Sequence, residues 1–155
     1  MPAHFLYARF PARSHRAAAD WLRSIEDVLA LHGDTIRVAA GVRNTAGAVI
    51  GWRLLTENHR ELGRSAWLAA AEDAARADVA RIVRSADRLV VHSDPEPGMR
   101  TTGWFVVLDG ELIMIGARRY ENRSVARNAG QLAVRLLVAM NDRRTDTAGT
   151  AELVR

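Results

Sequence analysis

Gly103-Trp104-Phe105-Val106-Val107-Leu108-Asp109-Gly110-Glu111-Leu112-Ile113-Met114-Ile115 decides the architecture of this chain. Two apolar runs flank Asp109-Gly110, a pair that accepts positive φ at both positions, so the segment reads as a tight hairpin. An amphipathic helix follows, predicted over about 122–140, with Val125, Ala129, Leu132 and Leu136 on its buried stripe. A fainter copy of this order runs from Gly51-Trp52 to Ala86, about fifty residues earlier. In it Gly51-Trp52 parallels Gly103-Trp104, Gly63 parallels Gly116, Trp67 parallels Tyr120, and Val79/Val83 parallel Leu132/Leu136. One hairpin with one helix cannot bury its apolar face, whereas two such units can share a sheet.

Outward from these units, Phe5 to Phe10 reads as a first strand ended by Pro11. A helix is predicted over about 13–32, with Ser14 as N-cap, Trp21, Ile25, Val28 and Leu29 on one face, and Gly33 at its end. Residues 36–42 read as a strand, Asn44 to Gly47 as a turn, 48–55 and 61–65 as strands, and Thr56 to Arg60 as the polar turn between the last two. The second helix is expected over about 67–86, burying Ala71, Ala75, Val79, Ile82 and Val83. A strand over 88–92 leads into Asp94-Pro95-Glu96-Pro97-Gly98, where the prolines forbid a regular ladder.

The expected fold is therefore α+β: an antiparallel sheet of about six to eight strands with three helices on one face, built from duplicated strand–strand–helix units. Residues 1–142 are expected to form one domain, comprising an N-terminal strand and helix (4–33), a first repeat (35–87) and a second (88–141). Residues 143–155 are polar and small and read as a disordered or loosely docked tail.

Composition narrows the function. An apolar fraction of 48% over 155 residues is too high for intrinsic disorder and allows a core without metal or disulfide support. No run reaches the length of a membrane span, and the N-terminus lacks a signal-peptide layout, so the expectation is a soluble cytoplasmic protein with no membrane partner. The absence of cysteine excludes thiolate metal sites and a cysteine nucleophile. All 22 basic residues are arginine, which excludes a Schiff-base lysine and a lysine-containing phosphate loop. Arginine without lysine, alongside abundant alanine, also fits the compositional bias of a GC-rich genome.

The unit Gly51-Trp52-Arg53-Leu54-Leu55, a polar turn, Glu61-Leu62-Gly63-Arg64-Ser65 and an alanine-rich helix resembles the repeat of the YegP-like family of small bacterial and archaeal proteins. Gly103 to Leu112 fits that pattern better than the first copy does. The resemblance spans roughly 36–140 and implies tandem ββα units sharing one sheet. It carries over no catalytic residues. This chain departs from the pattern with Glu57-Asn58-His59 in the first turn, Trp67 and Tyr120 before the helices, and an extra N-terminal strand and helix.

Candidate chemistry is sparse, and no catalytic residue or cofactor motif stands out. His92, Asp94 and Glu96 alternate along an extended segment and are weak candidates for a divalent metal, although a solvated loop explains them as well. His59, among Glu57, Arg60 and Glu61, has the surroundings of a general base and equally those of a polar turn. His32, just before a helix-ending glycine, suits a helix C-terminus. The arginines carry the sharper reading. Arg123, Arg127 and Arg135 recur on the last helix, and Arg118, Arg119 and Tyr120 precede it, a set suited to phosphate or another anion. The four tryptophans read as core, while an exposed Trp52–Trp104 pair would mark a groove or dimer seam.

The leading expectation is a small non-enzymatic binding or interaction module that self-associates, a dimer being favoured, through a sheet edge or face. One alternative is nucleic-acid binding through the arginine-rich helix face. The other is a small-ligand protein or enzyme with a pocket between sheet and helices.

Overall fold

The computed structural model describes residues 2–33, 35–38, 47–93 and 100–153. Its elements are β1 (His4–Phe10), α1 (Arg16–His32), β2 (Val49–Leu55), β3 (Glu61–Ser65), α2 (Glu72–Arg84), a 3-10 turn (Ala86–Arg88), β4 (Val90–His92), β5 (Phe105–Leu108), β6 (Glu111–Gly116) and α3 (Arg123–Leu153). The six strands make one sheet in the order β1-β2-β3-β6-β5-β4, and every neighbouring pair is antiparallel. The α+β class with an antiparallel sheet and three helices is thus as expected. None of the described helices is long and apolar enough to cross a membrane.

The β5–β6 hairpin closes as its sequence dictates. Asp109 and Gly110 take φ of 50° and 81°, and Leu108 pairs with Glu111 across them. The β2–β3 turn is longer. Thr56 N–H donates to Arg60 O at 2.8 Å, and His59 takes φ 61°, a conformation that favours glycine. The two hairpins meet where β3 pairs with β6, with Gly63 opposite Gly116, Arg64 opposite Ile115 and Ser65 opposite Met114.

Helices cover both faces of this sheet, which corrects the expected single covered face. Trp52, Leu54, Leu62, Trp104, Val106 and Ile113 join Ile82 and Val83 of α2 and Ala133 and Leu137 of α3 in one core. Val49, Phe105, Val107, Leu112 and Ile115 join Phe10 and Ala18, Trp21 and Ile25 of α1 in the other. Alternation within Phe105-Val106-Val107-Leu108 sends successive side chains to opposite cores, and all four are buried. A strand apolar at every position needs cover on both sides, and α1 supplies the second.

Tryptophans lock the layers together. Trp21 of α1 lies against Gly51, where an added Cβ would come within 2.7 Å of its ring, and its indole N–H donates to Ser65 O at 2.8 Å. The Arg53 and Arg64 guanidinium groups sit 5.4 and 4.9 Å from its ring centre, and Arg64 is held by a two-pronged contact to Glu61 at 3.0 Å. On the opposite face the buried Asp78 of α2 accepts the indole N–H groups of Trp52 (2.9 Å) and Trp67 (2.8 Å) on one oxygen and Arg81 (3.2 Å) on the other. Arg81 reaches on to Glu111 at 3.1 Å. Burial works against the Arg81 charge, but Asp78 and Glu111 outweigh it, so its pKa is raised. Trp104 has no such acceptor among the described residues: its indole nitrogen is buried without a hydrogen-bond partner there. Its ring rests on Gly63 and Gly116 and meets Gly130 of α3 above.

Several boundaries move. Of the strand expected over 36–42, residues 39–42 lie outside the described residues, and Arg37 forms a single parallel bridge with Glu111. The second helix starts at Glu72 instead of 67 because Ala69 still pairs with Ile50, with N–H donation in both directions at 2.8 and 2.7 Å. The fully buried line of α3 is Ala126, Gly130, Ala133 and Leu137; Ala129, Leu132 and Leu136 pack half-buried beside it as expected, whereas Val125 is 47% exposed. Small residues take that line because the helix backbone rests on the Trp104 ring and Val91. The segment from 143, expected as a tail, continues α3 to Leu153; no proline interrupts the helix after Met140.

Candidate functional site

A cleft of about 170 Å³ opens between the second half of α1 and the sheet. Ser24, Asp27, Val28, Leu31 and His32 form its helix side, while Gly103, Phe105, Ile115, Ala117, Arg118 and Arg119 are among the residues of its sheet side. The site follows from the topology. The run Ser24, Asp27, Val28, Leu31 repeats at three and four residues, so one stripe of α1 faces the ends of β5 and β6. The chain leaves β6 at Gly116 and carries Arg118 and Arg119 to the rim before Tyr120 pairs back to Thr102, with N–H donation in both directions at 2.9 and 2.6 Å.

The two rim arginines differ. Arg119 is tied down: its Nε donates to Thr101 Oγ1 at 2.8 Å and its Nη2 to Thr101 O at 2.6 Å. Its Nη1 occupies the space that a Cβ on Gly103 would fill, at 2.8 Å. Arg118 is exposed and has no hydrogen-bond or ion-pair partner among the described residues. Asp27, also exposed, likewise has none, although it lines the same cleft. Phe105 supplies an aromatic floor: His32 tilts against it at 4.8 Å between ring centres, and His92 stacks on it at 5.1 Å.

The anion-binding set proposed from the sequence is divided. Arg118 and Arg119 line the cleft beside α1. Tyr120 packs into the core on the opposite face. Arg123 at the start of α3 donates to Ser93 O at 2.8 Å. Arg127 and Arg135 are exposed on α3, the helix that covers the other side of the sheet. The expected set is thus shared between the cleft rim (Arg118, Arg119) and α3 (Arg123, Arg127, Arg135). Of the metal candidates, His92 is committed to the Phe105 stack, and Asp94 and Glu96 lie outside the described residues. Among the described residues, no three histidine or carboxylate side chains converge on a metal position.

His59 occupies a positive-φ turn position and meets the His4 ring edge-on at 5.3 Å. Trp52 and Trp104 are both buried, so they form no exposed aromatic pair. Sequence reasoning missed Ser24, Asp27 and Phe105 as lining residues. Only the i, i+3 spacing of Ser24 and Asp27 hinted that both share one helix face.

No family model, curated protein or solved structure matches this chain.

Proposed function

We propose that this protein is a small binding module whose ligand carries an anionic group and sits in the cleft between α1 and the sheet. The observation that carries this reading is the Arg118 guanidinium, without a partner among the described residues, on the lining of a concave site with an apolar aromatic floor. Arg119, already fixed by Thr101, adds a second guanidinium with little ordering cost. The test is an amide NMR titration of wild type and Arg118→Ala with acetate, benzoate and inorganic phosphate. Saturable shifts confined to the cleft and weakened about fivefold or more in the variant are expected. Equal binding by Arg118→Ala, or no saturable shift with any anion, overturns the reading.

Self-association is a second reading, favoured by one observation. Both outer strands carry an exposed large apolar residue, Leu6 at 48% on β1 and Val90 at 52% on β4. The seven-residue β1 offers the longer free edge, suited to antiparallel pairing with the β1 of a second copy. Sedimentation equilibrium on wild type and Leu6→Arg decides it: a dimer lost in the variant supports it, and a monomer at all concentrations rejects it. Nucleic-acid binding through Arg118, Arg119, Arg123, Arg127 and Arg135 draws less support, because these residues divide between the two sides of the sheet.

We further infer that the chain arose by duplication of a strand–strand–helix unit, as its YegP-like resemblance implies. Support comes from the order β2-β3-β6-β5, which reads the same unit outward from the β3–β6 seam in both directions. Trp52 precedes Asp78 by 26 residues, and Trp104 precedes the Gly130 that meets its ring by the same interval.

A further inference from the structure

The cleft is polarised. On its α1 wall, Asp27 presents a carboxylate unpaired among the described residues, and Ser24 Oγ spends its hydrogen on Asp20 O at 3.2 Å. Ser24 therefore offers the cleft only lone pairs, and the helix wall is an acceptor wall. On the facing wall Arg118 and Arg119 are donors without acceptor capacity. Charges of both signs line one small volume, yet Asp27 and Arg118 are not paired with each other.

A plain anion in this volume gains the arginines and is repelled by Asp27, and a plain cation meets the reverse. A ligand with both signs satisfies both walls. We propose, building on the anion-cleft reading above, that the ligand is a zwitterion of amino-acid type. Its carboxylate is received by Arg118 and Arg119, its ammonium by Asp27 and Ser24, and its hydrocarbon part lies on Phe105. The size agrees: a cleft of about 170 Å³ is comparable to the engineered cavity of about 150 Å³ that accepts benzene, so it takes one short side chain and not an oligomer. Arg119, braced over Gly103 by Thr101, fixes the carboxylate end before the ligand arrives.

The experiment is calorimetric titration of the full chain with L-valine, N-acetyl-L-valine, which lacks the ammonium, and L-valine amide, which lacks the carboxylate. Each is repeated with Asp27→Asn and Arg118→Ala, and thermal melts confirm that both exposed-site variants fold. Valine is expected to bind about tenfold or more tightly than either derivative. Asp27→Asn is expected to erase the advantage over N-acetylvaline, and Arg118→Ala to weaken both carboxylate ligands. If N-acetylvaline binds as tightly as valine and Asp27→Asn changes neither, the zwitterion proposal falls while the anion cleft stands. If the amide alone binds, or no ligand binds, both readings fall.

Discussion

Trp52 donates its indole N–H to Asp78 Oδ2 at 2.9 Å, tying the first hairpin to the helix that follows it. The same oxygen accepts Trp67, and the neighbouring oxygen accepts Arg81, so one buried carboxylate holds two tryptophans and an arginine. Asp78→Ala leaves the buried Trp52 N–H and the partly buried Trp67 N–H without this acceptor, together with a half-exposed cation. A loss of about 3 kcal/mol is expected in urea unfolding, and Asp78→Asn, which keeps one acceptor oxygen, should lose about half of that. An Asp78→Ala variant as stable as wild type would reject this role.

Trp104 tests the opposite situation. Its indole nitrogen has no acceptor among the described residues, and its ring fills the space above Gly116, where a Cβ would come within 2.7 Å of that nitrogen. Gly116→Ala therefore overpacks the core and is expected to cost about 1–3 kcal/mol. Denaturant midpoints followed by tryptophan fluorescence measure it; a midpoint unchanged from wild type would mean that the ring moves aside freely.

His59 holds φ 61° in the β2–β3 turn. Glycine takes that conformation without the Cβ penalty, so His59→Gly is expected to gain about 0.5 kcal/mol, net of the lost edge contact with His4. A lower melting temperature in the variant would show that the histidine contact outweighs the backbone strain.

Stability should fall in alkaline solution through Tyr7. Burial raises the pKa of its phenol, against the opposing pull of the Arg76 guanidinium 4.4 Å from its ring centre. The folded state therefore holds the proton more tightly than the unfolded chain. The contribution is fully present below the unfolded value of about 10 and is lost as pH rises through the higher folded value. Wild type should lose stability relative to Tyr7→Phe as pH climbs past that range. Parallel pH profiles for the two proteins would contradict the assignment.

Legibility in the sequence followed the range of the interaction. The β5–β6 hairpin was readable because Asp109-Gly110 encodes its own turn, and Trp21 and Ile25 gave the α1 core face because large residues set the period. On α3 the expected Ala129, Leu132 and Leu136 do pack against the core, but Val125 is exposed, and the fully buried Ala126, Gly130 and Ala133 beside Leu137 were not legible because such small residues carry almost no hydrophobic signal. The two-sided sheet was written in the unbroken run Phe105-Val106-Val107-Leu108, but only the path of α1 says what covers the second side. Arg118 and Arg119 were readable as anion-binding types. Their meeting with Asp27 was not, since it depends on how a helix more than ninety residues earlier crosses the sheet.

The β3–β6 seam also sets the order in which the chain can assemble. Each hairpin closes over a handful of residues, whereas joining Gly63 to Gly116 closes a loop of about fifty and must bear that entropy before any contact across the join repays it. The seam is thus the natural kinetic bottleneck. Substitutions beside Gly63 and Gly116 should slow refolding, while those in the outer strands β1 and β4 should chiefly hasten unfolding.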